Sequence, residues 1–282
     1  MTMAEITGEM VRRLRERTGA GLMECKRALE TAGGNEEVAV DNLRKSGLKT
    51  AEKKAGREMS EGRVKSYIAP DARSGALVAL TCETDFVARN QEFEVLLADA
   101  AKLAADTHCS DAAALAGAAY KGSTLGETIK LMVGKIGENI SVGKAAAYTN
   151  ASGFVGCYVH HDGKKAAIVS VKTTGDQAKA VAMLKELSMH IVFSNPVALS
   201  RAEIDADKVQ REREIYLEEV KSKPADIQEK IVAGKLSAFY AQWVLPEQRW
   251  FADDSKTVQQ ALEAELGKGA TIEGFARFQI GG

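Results

Sequence analysis

The chain is poor in the residues that usually announce chemistry. It has four cysteines, four histidines and two tryptophans among 282 residues. Cys25, Cys82, Cys109 and Cys157 stand far apart, with no C-x-x-C pair, so neither a zinc ribbon nor a secreted disulfide framework is indicated. They read as reduced, mostly buried thiols. His108, His160, His161 and His190 form no H-x-E or H-E-x-x-H pattern. His160 and His161 fall at a predicted hairpin tip and are expected to point to opposite faces, an arrangement unsuited to sharing a metal. No metal and no cofactor is expected. No G-x-S-x-G or other nucleophile motif occurs. Gly137 to Lys144 comes near a phosphate loop, but it has one residue too many and ends in Ala145 where Ser or Thr should stand. Direct nucleotide binding is therefore not expected.

An excess of either charge is missing too. Lysine plus arginine number 38 against 39 aspartate plus glutamate, and the pI is near 6.5. That balance leaves no bulk footprint for nucleic acid or an anionic membrane. No apolar run approaches the ~20 residues of a membrane span. Met1–Glu5 carries neither an apolar signal core nor a transit pattern. A cytoplasmic location is the expectation by elimination.

What is present is a 45% hydrophobic share, enough for a core. At roughly 100–200 residues per domain the length suggests one to three units. Residues 5–47 predict three short helices. Thr7 is a candidate N-cap of the first, Gly19-Ala20-Gly21 breaks it, the second runs over Leu22–Thr31, and Asn35 caps a third that ends before Gly47. A charged, apolar-poor stretch over 48–62 reads as a linker or solvated helix and a domain boundary. Val64–Ile68 and Ala76–Cys82 predict strands, the second apolar on both faces and so central. Phe154–His160 and Ala166–Val171 predict a hairpin, and a helix follows over about Gln177–Ile191. Residues 62–142 and 143–192 thus share a strand, strand, helix rhythm, a hint of duplication. Residues 205–243 predict a projecting helical hairpin with Lys221-Ser222-Lys223 at its tip and Pro224 opening its second helix. Val258–Leu266 reads as a helix and Thr271–Ile280 as a closing strand.

Between a buried strand and a helix stands Thr84-Asp85-Phe86-Val87. On physics alone it has two readings. Thr84 or Asp85 caps a helix and Phe86 folds back into the core, contributing about 1.5–3 kcal/mol. Alternatively, a carboxylate and an aromatic ring are offered at the rim of a sheet, to enter a partner.

Leu14–Lys26, Thr84–Val87, Lys135–Ile140, Met189–Ile191 and Ser255–Val258 occur in the order of one family's motifs. On them the chain resembles the elongation factor Ts family, guanine-nucleotide exchange factors of elongation factor Tu, along nearly its whole length. The resemblance implies an α+β architecture. An N-terminal three-helix UBA-like (ubiquitin-associated-like) domain would span 1–55. A two-subdomain α/β core with antiparallel sheets would span 56–142 and 143–200 with 245–266. An inserted helical hairpin, a coiled coil, would span 201–244, and a C-terminal module 267–282. It implies a translation factor that binds elongation factor Tu carrying GDP and releases the GDP by disturbing the Mg²⁺ site. Thr84, Asp85, Phe86 and Val87 would carry that step. Leu22 and Met23 would contact a partner helix, with Arg15 and Lys26 as flanking charges; spacing alone allows core packing for the pair equally well. His160 would touch another partner domain, although His161 beside it leaves the choice of histidine open. A homodimer of heterodimers is also left open. Two rivals stand against this reading: an adaptor acting only through its helical head, and an enzyme using Cys82 or His190.

Overall fold

The computed structural model describes Ile6–Gly281; Met1–Glu5 and Gly282, including the stretch read above for targeting signals, lie outside the described residues. Helix α1 (Gly8–Thr18) starts at Thr7, whose hydroxyl accepts the Met10 amide at 3.3 Å, and stops at left-handed Gly19. Helices α2 (Leu22–Thr31) and α3 (Glu36–Lys54) follow, the latter capped by Asn35 accepting the Val38 amide at 3.1 Å. Val11, Leu14, Cys25, Ala28, Leu29 and Ala39 close a small core between the three.

Strands β1 (Glu61–Ile68) and β2 (Ser74–Cys82) form an antiparallel hairpin. The chain continues through α4 (Asp85–Ala88), α5 (Gln91–Asp106), α6 (Ala112–Gly117), the two-residue strands β3 (Ala119–Tyr120) and β4 (Ser123–Thr124), and α7 (Leu125–Ile136). Strand β5 (Ile140–Thr149) then pairs with the free edge of β2, giving the order β1-β2-β5. The segment that came near a phosphate loop is thus a helix C-cap running into a strand.

The second half repeats the plan. Strands β6 (Gly153–Val159) and β7 (Lys165–Lys172) form a hairpin and α8 (Gln177–Ser194) packs on it. Helices α9 (Ala206–Glu219) and α10 (Ala225–Trp243) form the expected helical hairpin. Short strands β8 (Arg249–Trp250) and β9 (Asp253–Thr257) and helix α11 (Val258–Leu266) lead to β10 (Thr271–Gln279), which pairs with the free edge of β7. Each half therefore runs strand, strand, helix and returns with a third strand beside its central one. The hint of duplication at 143–192 extends to residue 279. Within the stretch expected as a C-terminal module, Thr271–Gln279 is the edge strand of the second sheet. Phe278 and Ile280 are buried there between the two sheets.

Why β2 and β7 are apolar on both faces is now plain. Ala76, Val78, Leu80 and Cys82 pack with α5 and α7, while Leu77 and Ala79 pack with the second sheet. In β7, Ala167, Val169 and Val171 join α8 and α11, while Ala166 and Ile168 meet the first sheet. Two sheets lie face to face between two helical layers, and each central strand uses both sides of its period of two. The fold is mixed helix and antiparallel sheet, as the sequence suggested.

The expected linker or solvated helix over 48–62 divides in two: α3 continues to Lys54, and the mostly exposed residues 55–60 lead on to β1. Gly47, expected beyond the end of the third helix, lies inside α3, which runs on to Lys54. Its backbone lies against Gly134 of α7, where the missing side chain is what permits the close packing: a Cβ placed on Gly134 would come 2.5 Å from the Gly47 Cα. Ala51, one turn on, is buried in the core of the first sheet. The charged face of 48–54 is the solvent side of a helix docked on α7.

His190 fastens the root of the helical hairpin to the second half. It is 1% exposed and stacks on Trp250 with ring centroids 5.4 Å apart. Its Nε2 lies 2.9 Å from Gln248 Oε1, while the Gln248 amide donates to the carbonyls of Ser194 at 3.2 Å and Gln242 at 2.8 Å. The two carbonyls fix the amide's orientation, so His190 donates through Nε2. Gln248 thereby caps the C-terminal ends of α8 and α10 together. Burial holds the His190 pKa below its ordinary value. Because the unfolded chain takes up a proton at about pH 6.5 and the folded one only lower, stability from this site is present above that pH. It is lost as pH falls through the folded value. Thermal unfolding from pH 8 to 5 should show a steeper acid loss for the wild type than for His190→Gln; parallel curves would dismiss the effect.

Candidate functional site

The turn after β2 resolves the two readings of Thr84–Val87 by satisfying half of each. Thr84 is the N-cap of α4, its hydroxyl accepting the Val87 amide at 3.4 Å. Phe86, however, does not fold back. It is 83% exposed, the most exposed large apolar side chain among the described residues. Val87 and Ala88 take the inward face of this four-residue turn, and Phe93, seven positions on, is fully buried in α5. Asp85 is half-exposed and pairs with Arg89 at 3.1 Å. Asn90 caps α5 by accepting the Glu92 amide at 2.8 Å, so the segment carrying Phe86 is capped before and after.

The loop following α7 holds this turn from behind. Gly137, left-handed with φ of +87°, ends α7. The next residue, Glu138, accepts from the Thr84 backbone amide at 3.0 Å and from the Thr84 hydroxyl at 2.8 Å, one bond per carboxyl oxygen. Glu83 accepts the Asn139 amide at 2.6 Å, and that bond, helped by Arg57 3.3 Å away, lowers its pKa. The buried Asn139 side chain donates to the carbonyls of Ala55 and Arg57 at 3.4 and 3.1 Å. Lys54 at the end of α3 donates to the Gly137 carbonyl. These partners were not singled out from the sequence, since 54 residues separate Thr84 from Glu138. The only signal was that Glu138 and Asn139 stand in the third motif of the resemblance.

The remaining sequence-predicted residues lie on other surfaces. Leu22 and Met23, in the first turn of α2, are 51% and 60% exposed, which excludes the core-packing alternative. Arg15 is exposed on α1, and Lys26 is exposed with Glu30 3.8 Å away. His160 is half-buried, its Nδ1 3.1 Å from the Tyr158 hydroxyl and its ring edge-on to Phe193 at 5.5 Å. Phe193, 61% exposed on α8, was not anticipated. His160 and His161 do not point apart: the loop after β6 breaks the strand alternation and their ring centroids lie 4.1 Å apart. Among the described residues no group of three or more His, Cys, Asp and Glu could hold a metal ion.

The enzyme alternative loses its two residues. Cys82 is fully buried, donates to the Thr84 carbonyl at 3.1 Å, and has its pKa pushed up to about 12 by burial. A thiol in that state is a poor nucleophile. His190 is sealed under Trp250 and Phe251. No helix of the described residues is long and apolar enough to cross a membrane.

Comparison with known proteins fits this geometry. A family model described as elongation factor TS matches residues 83–282, beginning one residue before the Thr84 turn. Whole-chain relatives extend the match through the helical head. "Elongation factor Ts" of Parvibaculum lavamentivorans is 39% identical over 99% of this chain and 94% of its own. That of Clostridium botulinum is 38% identical over 98% and 93%. That of Prosthecochloris aestuarii is 35% identical over 99% and 100%. The class is that of the translation elongation factors. Within it, this chain belongs to the elongation factor Ts family.

Proposed function

We propose that the chain binds elongation factor Tu carrying GDP and speeds release of the nucleotide, with Phe86 as a wedge and Asp85 as the charge that disturbs the partner's Mg²⁺ site. The observation that supports this best is the exposure of Phe86 on a doubly capped turn. An apolar ring held in water by a rigid frame gives up stabilisation in the free protein that only a partner can recover. Mg²⁺ requires near-octahedral geometry at about 2.0–2.1 Å, so small displacements of the groups that orient it weaken the whole site.

The wedge needs binding energy from elsewhere. If the factor weakens GDP binding, GDP weakens factor binding by the same ratio. Leu22 and Met23 on the head, flanked by Arg15 and Lys26, are the proposed second grip. We read the three helices of the head as a UBA-like domain and the α9–α10 pair as a short coiled coil. His160, rather than the exposed His161, is the proposed third contact, because Tyr158 and Phe193 hold its ring in place. The proposed partner implies work in the cytoplasm. It requires no nucleotide, metal or nucleic acid bound by this chain.

The test is to mix the intact chain with elongation factor Tu carrying a fluorescent GDP. Release faster than the unassisted rate is expected. Tight binding without faster release would favour the head-only adaptor instead.

A further inference from the structure

We propose that Glu138 is a positioning residue for nucleotide release: its carboxylate sets the Thr84 turn from which Phe86 projects, and the loop Gly137–Asn139 ties that turn to the docked end of α3. The inference rests on the exchange reading above. It starts from a mechanical need. α4 has four residues and its inward face offers only Val87 and Ala88 to the core. A turn that small, loaded through an exposed ring, would swing unless something other than its own hydrogen bonds fixed it.

Glu138 meets that need from outside the turn. Its two oxygens take the Thr84 amide and hydroxyl separately. The Thr84 hydroxyl therefore donates to Glu138 and accepts from Val87 at once, which fixes its rotor. Glu83, immediately before the turn, is held in the same way by the Asn139 amide. The two contacts cross: residues 83 and 84 grip residues 139 and 138. Such paired bonds resist rotation as well as translation, whereas a single bond would act as a hinge.

The loop does not end there. Asn139 donates to Ala55 and Arg57 and Lys54 donates to Gly137, all in the stretch that leaves α3. α3 in turn packs through Gly47 on α7, whose C-cap is Gly137. Head, α7 and wedge turn meet at three consecutive residues. Force applied by a partner at the head is thus borne at the base of the wedge rather than dissipated in a linker.

The test compares Glu138→Ala, Glu138→Gln and Phe86→Ala, singly and with Glu138→Ala and Phe86→Ala combined. Saturating release rates of fluorescent GDP from elongation factor Tu are measured beside affinity for the nucleotide-free partner. Glu138→Ala should lower the saturating rate about tenfold, the loss of charge-assisted bonds to a carboxylate, and should weaken binding of the nucleotide-free partner by no more than Phe86→Ala does. Glu138→Gln keeps an acceptor for the Thr84 amide and a donor toward its hydroxyl, and should restore most of the rate. The double variant should be no slower than Phe86→Ala alone, because Glu138 acts through that ring. Additive losses, or an unchanged rate in Glu138→Ala, would overturn the proposal. Amide hydrogen exchange over 84–90 in the free protein provides a readout independent of the partner. It should quicken in Glu138→Ala, and unchanged protection there would also overturn it. If the wild type releases no GDP while this exchange difference stands, the exchange reading has failed and the clamp has not.

Discussion

Replacing Phe86 with alanine should cost this protein most of its proposed activity and almost none of its stability. A ring that is 83% exposed contributes little to the folded core, so the unfolding midpoint should stay within about 0.5 kcal/mol of wild type. Burying the same ring in a partner is worth about 1.5–3 kcal/mol. Spent in the state with the partner's nucleotide site opened, that corresponds to a loss of roughly ten- to a hundredfold in stimulated GDP release. Phe93 is the internal control. It is fully buried in α5, and Phe93→Ala should cost about 3–5 kcal/mol of stability. Release assays and thermal melts on the two variants would separate a contact residue from a core one. A Phe86→Ala protein that melts early, or releases GDP at the wild-type rate, would exclude the wedge.

The second large effect concerns how the head is held, and it is asymmetric. Gly47 and Gly134 meet where α3 crosses α7, but a side chain fits on only one side. At Gly134 a Cβ would lie 2.5 Å from the Gly47 Cα and 3.2 Å from its carbonyl carbon and oxygen. Those are backbone atoms and cannot rotate away. Gly134→Ala should destabilise the protein by about 1–3 kcal/mol from overpacking, less the ~1 kcal/mol that alanine gains over glycine in a helix. At Gly47 the nearest atoms to a Cβ are at 3.8 Å, ordinary contact distance. Gly47→Ala should therefore stabilise by up to about 1 kcal/mol. Denaturant melts on the pair decide this: opposite signs support the crossing, and equal shifts contradict it. The same packing bears on truncation. A cut after residue 47 would split α3 and uncover Gly134 and the core around Ala51, so removal of the head is not a neutral operation.

Local signals were legible in the sequence because their causes are local. Thr7 and Asn35 were readable as caps because the hydroxyl and the amide act on an amide three residues away. β2 was readable as central because both faces of its alternation are apolar. Pro224 marked the start of α10 because its fixed φ suits that place. What stayed hidden depends on atoms distant in sequence. Gly47 looked like a helix end because glycine ends many helices; here it lies mid-helix, and its backbone packs against Gly134, 87 residues on, where the side chain is barred. The terminal strand looked separable because nothing in residues 267–282 reveals the free edge of β7. The rim turn itself was half legible: Thr84 announced a cap, but the direction of Phe86 depends on Val87 and Ala88 filling the inward face, and its rigidity on Glu138. Burial of Cys82 and His190, the two residues the enzymatic alternative relied on, is likewise a property of the packed sheets and not of either residue's neighbours in sequence.

The central claim is that Phe86 carries the antagonism between this protein and the GDP of elongation factor Tu. The direct measurement is a pair of affinities by calorimetry, for the nucleotide-free and the GDP-bound partner, taken with the wild type and with Phe86→Ala. By linkage, the ratio of the two equals the factor by which the protein weakens GDP binding. The wild type should bind the nucleotide-free form much more tightly. Phe86→Ala should shrink that ratio by roughly ten- to a hundredfold, chiefly through weaker binding to the nucleotide-free form. An unchanged ratio would contradict the account, whatever happened to either affinity alone.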